Sequence, residues 1–188
     1  MARPKSDDKR SAILEAAARI IAAEGLGATT AAIAKEAGIS NGSLFTYFNN
    51  KTDLLNQLYI ETKSEMAAEA IAGIPTDSDI RDQLLHLWTN WLGWSASCPE
   101  KRRTLAQLIV SDEITPESRE AAKHSMTEMA RILECGRENG PMRDVPRGLF
   151  IAMANAIADA AIDYMITDPA NAEKYSMSAF DAFWRMIS

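Results

Sequence analysis

The chain has little of what a β-protein, a disulfide scaffold or a metalloenzyme needs. Nine glycines and seven prolines among 188 residues are too few for an all-β fold built on tight turns. Two cysteines, Cys98 and Cys135, cannot form a disulfide framework, and neither has a Cys-x-x-Cys partner. No leader-like segment precedes them, so the expected compartment is the cytoplasm with both thiols reduced. The two histidines, His86 and His124, lack metal-ligand spacing. Gly136-Arg137-Glu138-Asn139-Gly140 lacks the Gly-Lys-Ser/Thr ending of a phosphate loop. The acidic residues are plentiful, but on helices they read as a solvated face. The expectation is therefore a non-enzyme with no metal site and no cofactor.

Net charge is also unhelpful at first sight, since −6 disfavours a polyanionic partner. Its distribution reverses that reading. Residues 1–52 carry seven Lys/Arg against five Asp/Glu, and the rest of the chain carries thirteen against twenty-one. A basic N-terminal module on an acidic body follows. Arg3, Lys5, Lys9 and Arg10 form a basic arm, although an ordinary solvated terminus has the same composition.

What is present is helix. Apolar residues recur at i, i+3, i+4 and i+7 from end to end, and 47 % apolar content is enough for a packed core. The pattern predicts about nine helices, near residues 7–24, 30–37, 41–48, 51–72, 79–97, 99–111, 115–139, 147–167 and 168–187. Gly25, Gly38 and Gly73 sit where helices should stop, and Pro99, Pro116 and Pro169 where they should start. No strand-like alternation and no repeat is visible, so the fold class is all-α. The helix at 147–167 is apolar nearly all round and should be buried. Its Asp159 and Asp163 argue against a membrane span.

The two short helices joined by Ala37-Gly38-Ile39-Ser40 make a helix-turn-helix pattern. In the second, 100° steps bury Leu44 and Phe48, place Phe45 at the edge of that face and turn Gly42, Ser43, Thr46 and Tyr47 outward. Small polar residues there suit the roughly 12 Å wide major groove. Any short amphipathic helix also turns polar residues outward, so the pattern alone leaves both readings open.

Further residues carry a resemblance. Arg10, Ile13-Leu14-Glu15-Ala16-Ala17, Gly25, Ala28-Thr29-Thr30, Ile33-Ala34, Ala37-Gly38-Ile39-Ser40, Gly42-Ser43-Leu44-Phe45, Tyr47-Phe48 and Lys51 together resemble the DNA-binding domain of TetR/AcrR-family regulators. Met1-Ala2-Arg3-Pro4-Lys5-Ser6 and the ending Asp168-Pro169-Ala170 through Phe183-Trp184-Arg185 resemble more narrowly the RamR-type members, dimeric repressors of multidrug-efflux control genes. The resemblance implies a DNA-binding domain over 1–50 and a ligand-binding and dimerisation domain over 51–188. It implies that Thr30, Tyr47 and Lys51 meet phosphate, while Asn41, Gly42, Ser43 and Thr46 face base edges. Phe45 lacks the hydroxyl of the tyrosine common there, which excludes a phosphate bond from that side chain and leaves an apolar contact to a thymine methyl open.

In the acidic body, Trp88 and Trp91 share a helix face, as do Tyr59, Lys63 and Met66. With Asp163 and Tyr164 they make a candidate pocket for a flat cationic ligand, held by stacking and cation–π attraction. The same tryptophans serve equally well as core filling. Ala152, Ala156 and Ala160, with the apolar edge of the last helix, point to a homodimer through the last two helices. The expected function is a ligand-responsive repressor on a palindromic operator, with no membrane partner. Two alternatives stand beside it: a regulator of a metabolic or lipid gene with another ligand, and a small-molecule binding protein without specific DNA binding.

Overall fold

Helix punctuation dictates most of the architecture. In the computed structural model of the chain, which describes residues 5–188, ten α-helices follow one another. They are α1 (Lys5–Glu24), α2 (Thr30–Glu36), α3 (Asn41–Leu44), α4 (Lys51–Ile71), α5 (Ile80–Ser97), α6 (Pro99–Ile109), α7 (Pro116–Ser125), α8 (Thr127–Arg137), α9 (Arg147–Thr167) and α10 (Ala172–Ile187), with a single 3-10 turn at Pro169–Asn171. No strand occurs among the described residues. Arg3 and the side chain of Lys5, both of the basic arm, lie outside what the structure describes. Gly25 and Gly38, at φ 80° and 68°, end α1 and α2 in the left-handed region that a side chain disfavours.

Two boundaries differ from the sequence pattern. The helix expected over 115–139 is two helices, because Met126 leaves helical geometry at φ −95° and ψ 8°. The interruption falls where the chain passes between compact units. The second helix of the helix-turn-helix is regular only to Leu44 and then continues as a tighter turn, with Tyr47 N–H donating to Leu44 at 3.0 Å.

The chain divides into two compact units, residues 1–64 with 98–124, and residues 65–97 with 125–188. This differs from a simple cut at residue 50, since the first unit recruits α6 and α7. Side chains explain that recruitment. Thr104 Oγ1 donates to the Ala18 carbonyl at 2.7 Å, Gln107 Nε2 to Ile21 at 3.3 Å, and Lys101 pairs with Glu15 at 2.6 Å, tying α6 along α1. Ile13, Ile21, Ile33, Leu44, Phe48, Leu54 and Leu55 are fully buried in this unit.

The second unit is built on aromatic packing. Trp88 of α5 stacks on Phe183 of α10 at 5.0 Å and 18°, and its indole N–H donates to the Ser176 carbonyl at 3.2 Å. Phe150 of α9 and Ile187 of α10 belong to the same apolar cluster. Arg137 is buried yet fully engaged: it pairs with Glu134, donates to the Met142 and Val145 carbonyls, and lies over the Phe150 ring. α9 is not buried all round as its composition suggested. Phe150, Ala154, Ala158, Ala161, Ile162 and Met165 face inward, while Leu149, Ile151, Met153, Tyr164 and Ile166 stay exposed.

Candidate functional site

The helix-turn-helix is assembled by caps. Thr29 accepts from the Ala32 N–H at 3.1 Å, opening α2, and Ser40 accepts from the Ser43 N–H at 3.1 Å, opening α3. Leu44 and Phe48 turn inward to full burial, which fixes the face left outside. That face presents Asn41, Gly42, Phe45 and Thr46, all exposed, with Ser43 and Tyr47 half-buried at its margin. Thr46 Oγ1 donates to the Ser43 carbonyl at 2.7 Å, and the Ser40 and Ser43 hydroxyls share a hydrogen bond at 2.8 Å.

The flanking residues are held as firmly. Thr30 is half-buried in the first turn of α2, where backbone N–H groups point outward and favour an anion. Lys51 donates from Nζ to the Leu26 carbonyl at 2.6 Å, which draws its ammonium to the corner of the α1–α2 loop. Two of its three donor hydrogens remain for another acceptor. A reciprocal cap sets the start of α4: Asn50 Oδ1 accepts from the Asp53 N–H at 2.8 Å, and Asp53 accepts from the Asn49 N–H at 2.8 Å. The sequence pattern treated these asparagines only as a break; the Asn-x-x-Asp spacing carried the capping signal.

Two other residues were missed. Arg10, expected in the basic arm, instead pairs with Glu61, donates to Gln57 at 3.0 Å and lies over the Phe48 ring. Asn56, buried at 6 % exposure, donates to the Thr52 and Glu113 carbonyls and accepts from the Thr115 N–H. It therefore ties α4 to the segment opening α7. No periodicity signals such a residue, because two of its three partners lie 57 and 59 positions away.

The residues assigned to a ligand pocket are distributed differently from one another. Tyr59 and Met66 are buried, Lys63 is half-buried, and burial holds its ammonium pKa below the usual lysine range. Trp88 is 1 % exposed in the aromatic core, with Trp91 half-buried against its edge at 5.8 Å. Tyr164 is 64 % exposed and pairs with Tyr175 at 5.5 Å; Asp163 beside it is exposed. Trp88 and Tyr164 therefore do not share a surface. Tyr164 lines a shallow groove of about 530 Å³ between α9 and α10, together with Ala156, Ala160, Tyr175 and Ala179.

This arrangement, a capped helix-turn-helix in one helical unit and an aromatic-cored helical unit beside it in sequence, defines an all-helical class of two-unit helix-turn-helix proteins. Residues 13–58 match the model of the bacterial regulatory proteins of the tetR family. The transcriptional regulator AcrR of Shigella flexneri is 29 % identical over 113 residues, 57 % of this chain and 50 % of that protein. The chain thus aligns with half the length of this curated relative. A crystal structure described as a tetR-family transcription regulator from Shewanella sp. PV-4 superposes with a TM-score of 0.81 at 28 % identity, covering 94 % of this chain and 96 % of that one. A TetR-family regulator from Marinobacter aquaeolei VT8 gives a TM-score of 0.85 at 23 % identity, over 99 % and 98 % of the two chains. Residues 13–58 thus resemble a tetR-family DNA-binding domain, and the chain as a whole shares the fold of TetR-family transcriptional regulators.

Proposed function

We propose that the chain is a homodimeric, ligand-responsive transcriptional repressor that binds a palindromic operator through α2 and α3. The observation that carries this reading is the outward face of α3, held by the Ser40 cap and offering small residues to a groove. Thr30, Tyr47 and Lys51 bind phosphate, which fixes register, and Asn41, Gly42, Ser43 and Thr46 approach base edges. One such module makes too few contacts for tight binding. A two-fold pair whose α3 helices lie about 34–36 Å apart meets two successive turns of one DNA face.

The dimer surface is the outer face of α9 and α10. Leu149, Met153, Ala156, Ala160 and Tyr164 fall on one stripe of α9 and all are exposed. Small residues at the centre of that stripe let two helices approach closely. An exposed apolar stripe of this length on a soluble domain supports a protein contact. The ligand is a flat cationic or aromatic compound, and the genes controlled concern multidrug efflux, in keeping with the RamR-type resemblance. Such a ligand releases DNA only if it binds the DNA-incompetent conformation more tightly.

Fluorescence anisotropy on DNA from around the gene, at two salt concentrations and with and without a flat cationic dye, tests the whole reading. Selective binding that weakens steeply with salt and is released by the dye is the expected result. Selective binding untouched by the dye keeps the repressor and removes the efflux assignment. Absence of selective binding to any duplex, including a random pool, removes the DNA-binding role.

A further inference from the structure

The reading face of α3 has an unusual chemical inventory. From Ser40 to Thr46 there is no Arg or Lys, the side chains that meet the paired acceptors N7 and O6 of guanine. The hydroxyls are largely occupied. Thr46 spends its hydrogen on the Ser43 carbonyl, and Ser40 and Ser43 spend one of their two hydrogens on each other. Thr46 is thereby held by its oxygen while its methyl group stays on an exposed residue.

Two residues on this face have no explanation within the fold. Phe45 is 44 % exposed although Leu44 and Phe48 beside it are buried. Gly42 needs no glycine backbone, since its φ is not positive, and a Cβ there would meet nothing nearer than the Ser40 hydroxyl at 4.0 Å. Glycine is a poorer helix former than alanine. Gly42 in α3 and Phe45 and Thr46 in the turn that continues it are all exposed. A bare backbone patch flanked by a phenyl ring and a methyl group is an apolar notch.

We propose that Gly42, Phe45 and the Thr46 methyl receive the 5-methyl group of a thymine, so that each operator half-site is read through a thymine methyl. Thymine is the base that shows a methyl in the major groove, and the T·A pair asks for no guanidinium. The inference rests on the DNA-binding role proposed above and specifies what that role recognises.

The test begins with duplexes selected from a random pool by the full-length chain. Each thymine of a selected half-site is then replaced by deoxyuridine, which removes the methyl and nothing else, and affinity is read by anisotropy. One thymine per half-site should weaken binding about fourfold on replacement, the value of one buried methyl-sized group. Phe45→Ala should bind thymine and deoxyuridine duplexes equally. Gly42→Ala fills the notch and should bind the deoxyuridine duplex at least as well as the thymine one. Both positions are exposed, so both variants should melt like the parent. Deoxyuridine tolerated at every position, with selectivity retained, overturns the methyl reading and leaves the repressor standing. No enriched sequence at all overturns both.

Discussion

Asn56 offers the sharpest test of how the helix-turn-helix unit is held together. Its amide makes three hydrogen bonds in a buried setting: Nδ2 to the Thr52 carbonyl at 2.7 Å, Nδ2 to the Glu113 carbonyl at 2.8 Å, and Oδ1 from the Thr115 N–H at 2.9 Å. Asn56→Ala removes all three and leaves the Thr115 N–H without that partner. At about 0.5–1.5 kcal/mol for each bond, the loss is about 3 kcal/mol. For a chain of this length that lowers Tm by roughly 6–12 °C. Asn56→Asp has the same shape but opposite chemistry. It still accepts from Thr115, yet it aims a carboxylate oxygen at two carbonyl oxygens. Burial and those carbonyls raise its folded pKa above the unfolded value of about 3.9. The folded state then holds a proton that the unfolded state has lost. Its deficit is full above the raised pKa, shrinks as pH falls through the window between the two values where only the folded state holds the proton, and is smallest below about pH 4. Thermal melts by circular dichroism should rank Asp below Ala at pH 7 and reverse the order near pH 4. An Asp variant as stable as the parent at pH 7, with no pH dependence, would refute the donor role of the amide.

Three further outcomes follow from the packing. Gly140→Ala would set a Cβ 1.6 Å from the Ile187 carbonyl oxygen, so the end of α10 must shift; a loss of about 1–3 kcal/mol is expected, and an unchanged melting curve would show the loop yields freely. Ser176→Ala should stabilise by up to about 1 kcal/mol, because the Ser176 hydroxyl is buried without a partner while the bond to Trp88 uses its backbone carbonyl; destabilisation in urea titrations would contradict this. Burial depresses the Lys63 pKa, so ionised Lys63 weighs against the folded state below that pKa and the weight is lifted as pH rises toward the usual lysine value. Lys63→Met should therefore melt higher than the parent at pH 7, with the gap narrowing as pH rises toward the ordinary lysine value of about 10.4; a constant gap in melts up to that pH counts against the desolvation argument.

The sequence alone determined what depends on neighbours along the chain. Gly25 and Gly38 stop helices because only glycine takes a positive φ freely, and Ser40 starts one because its oxygen reaches a backbone N–H three residues on. The 3.6-residue period then turns Leu44 and Phe48 inward and leaves Asn41, Gly42 and Thr46 outside, so the outward face of the helix-turn-helix is a local property. Tertiary structure decided whatever depends on distant partners. Arg10 reads as a free cation until Glu61 and Phe48 are placed beside it, and Asn56 has no role until Glu113 and Thr115 reach it. Trp88 and Tyr164 look alike as aromatic residues on apolar helices. One lies in the core, where Phe183 and the Ser176 carbonyl complete its packing, and the other stands on an open face. Periodicity shows that a side of α9 is apolar. It does not show whether that side meets the same chain or stays open, because hydrophobic burial has no direction and the covering surface comes from elsewhere in the fold.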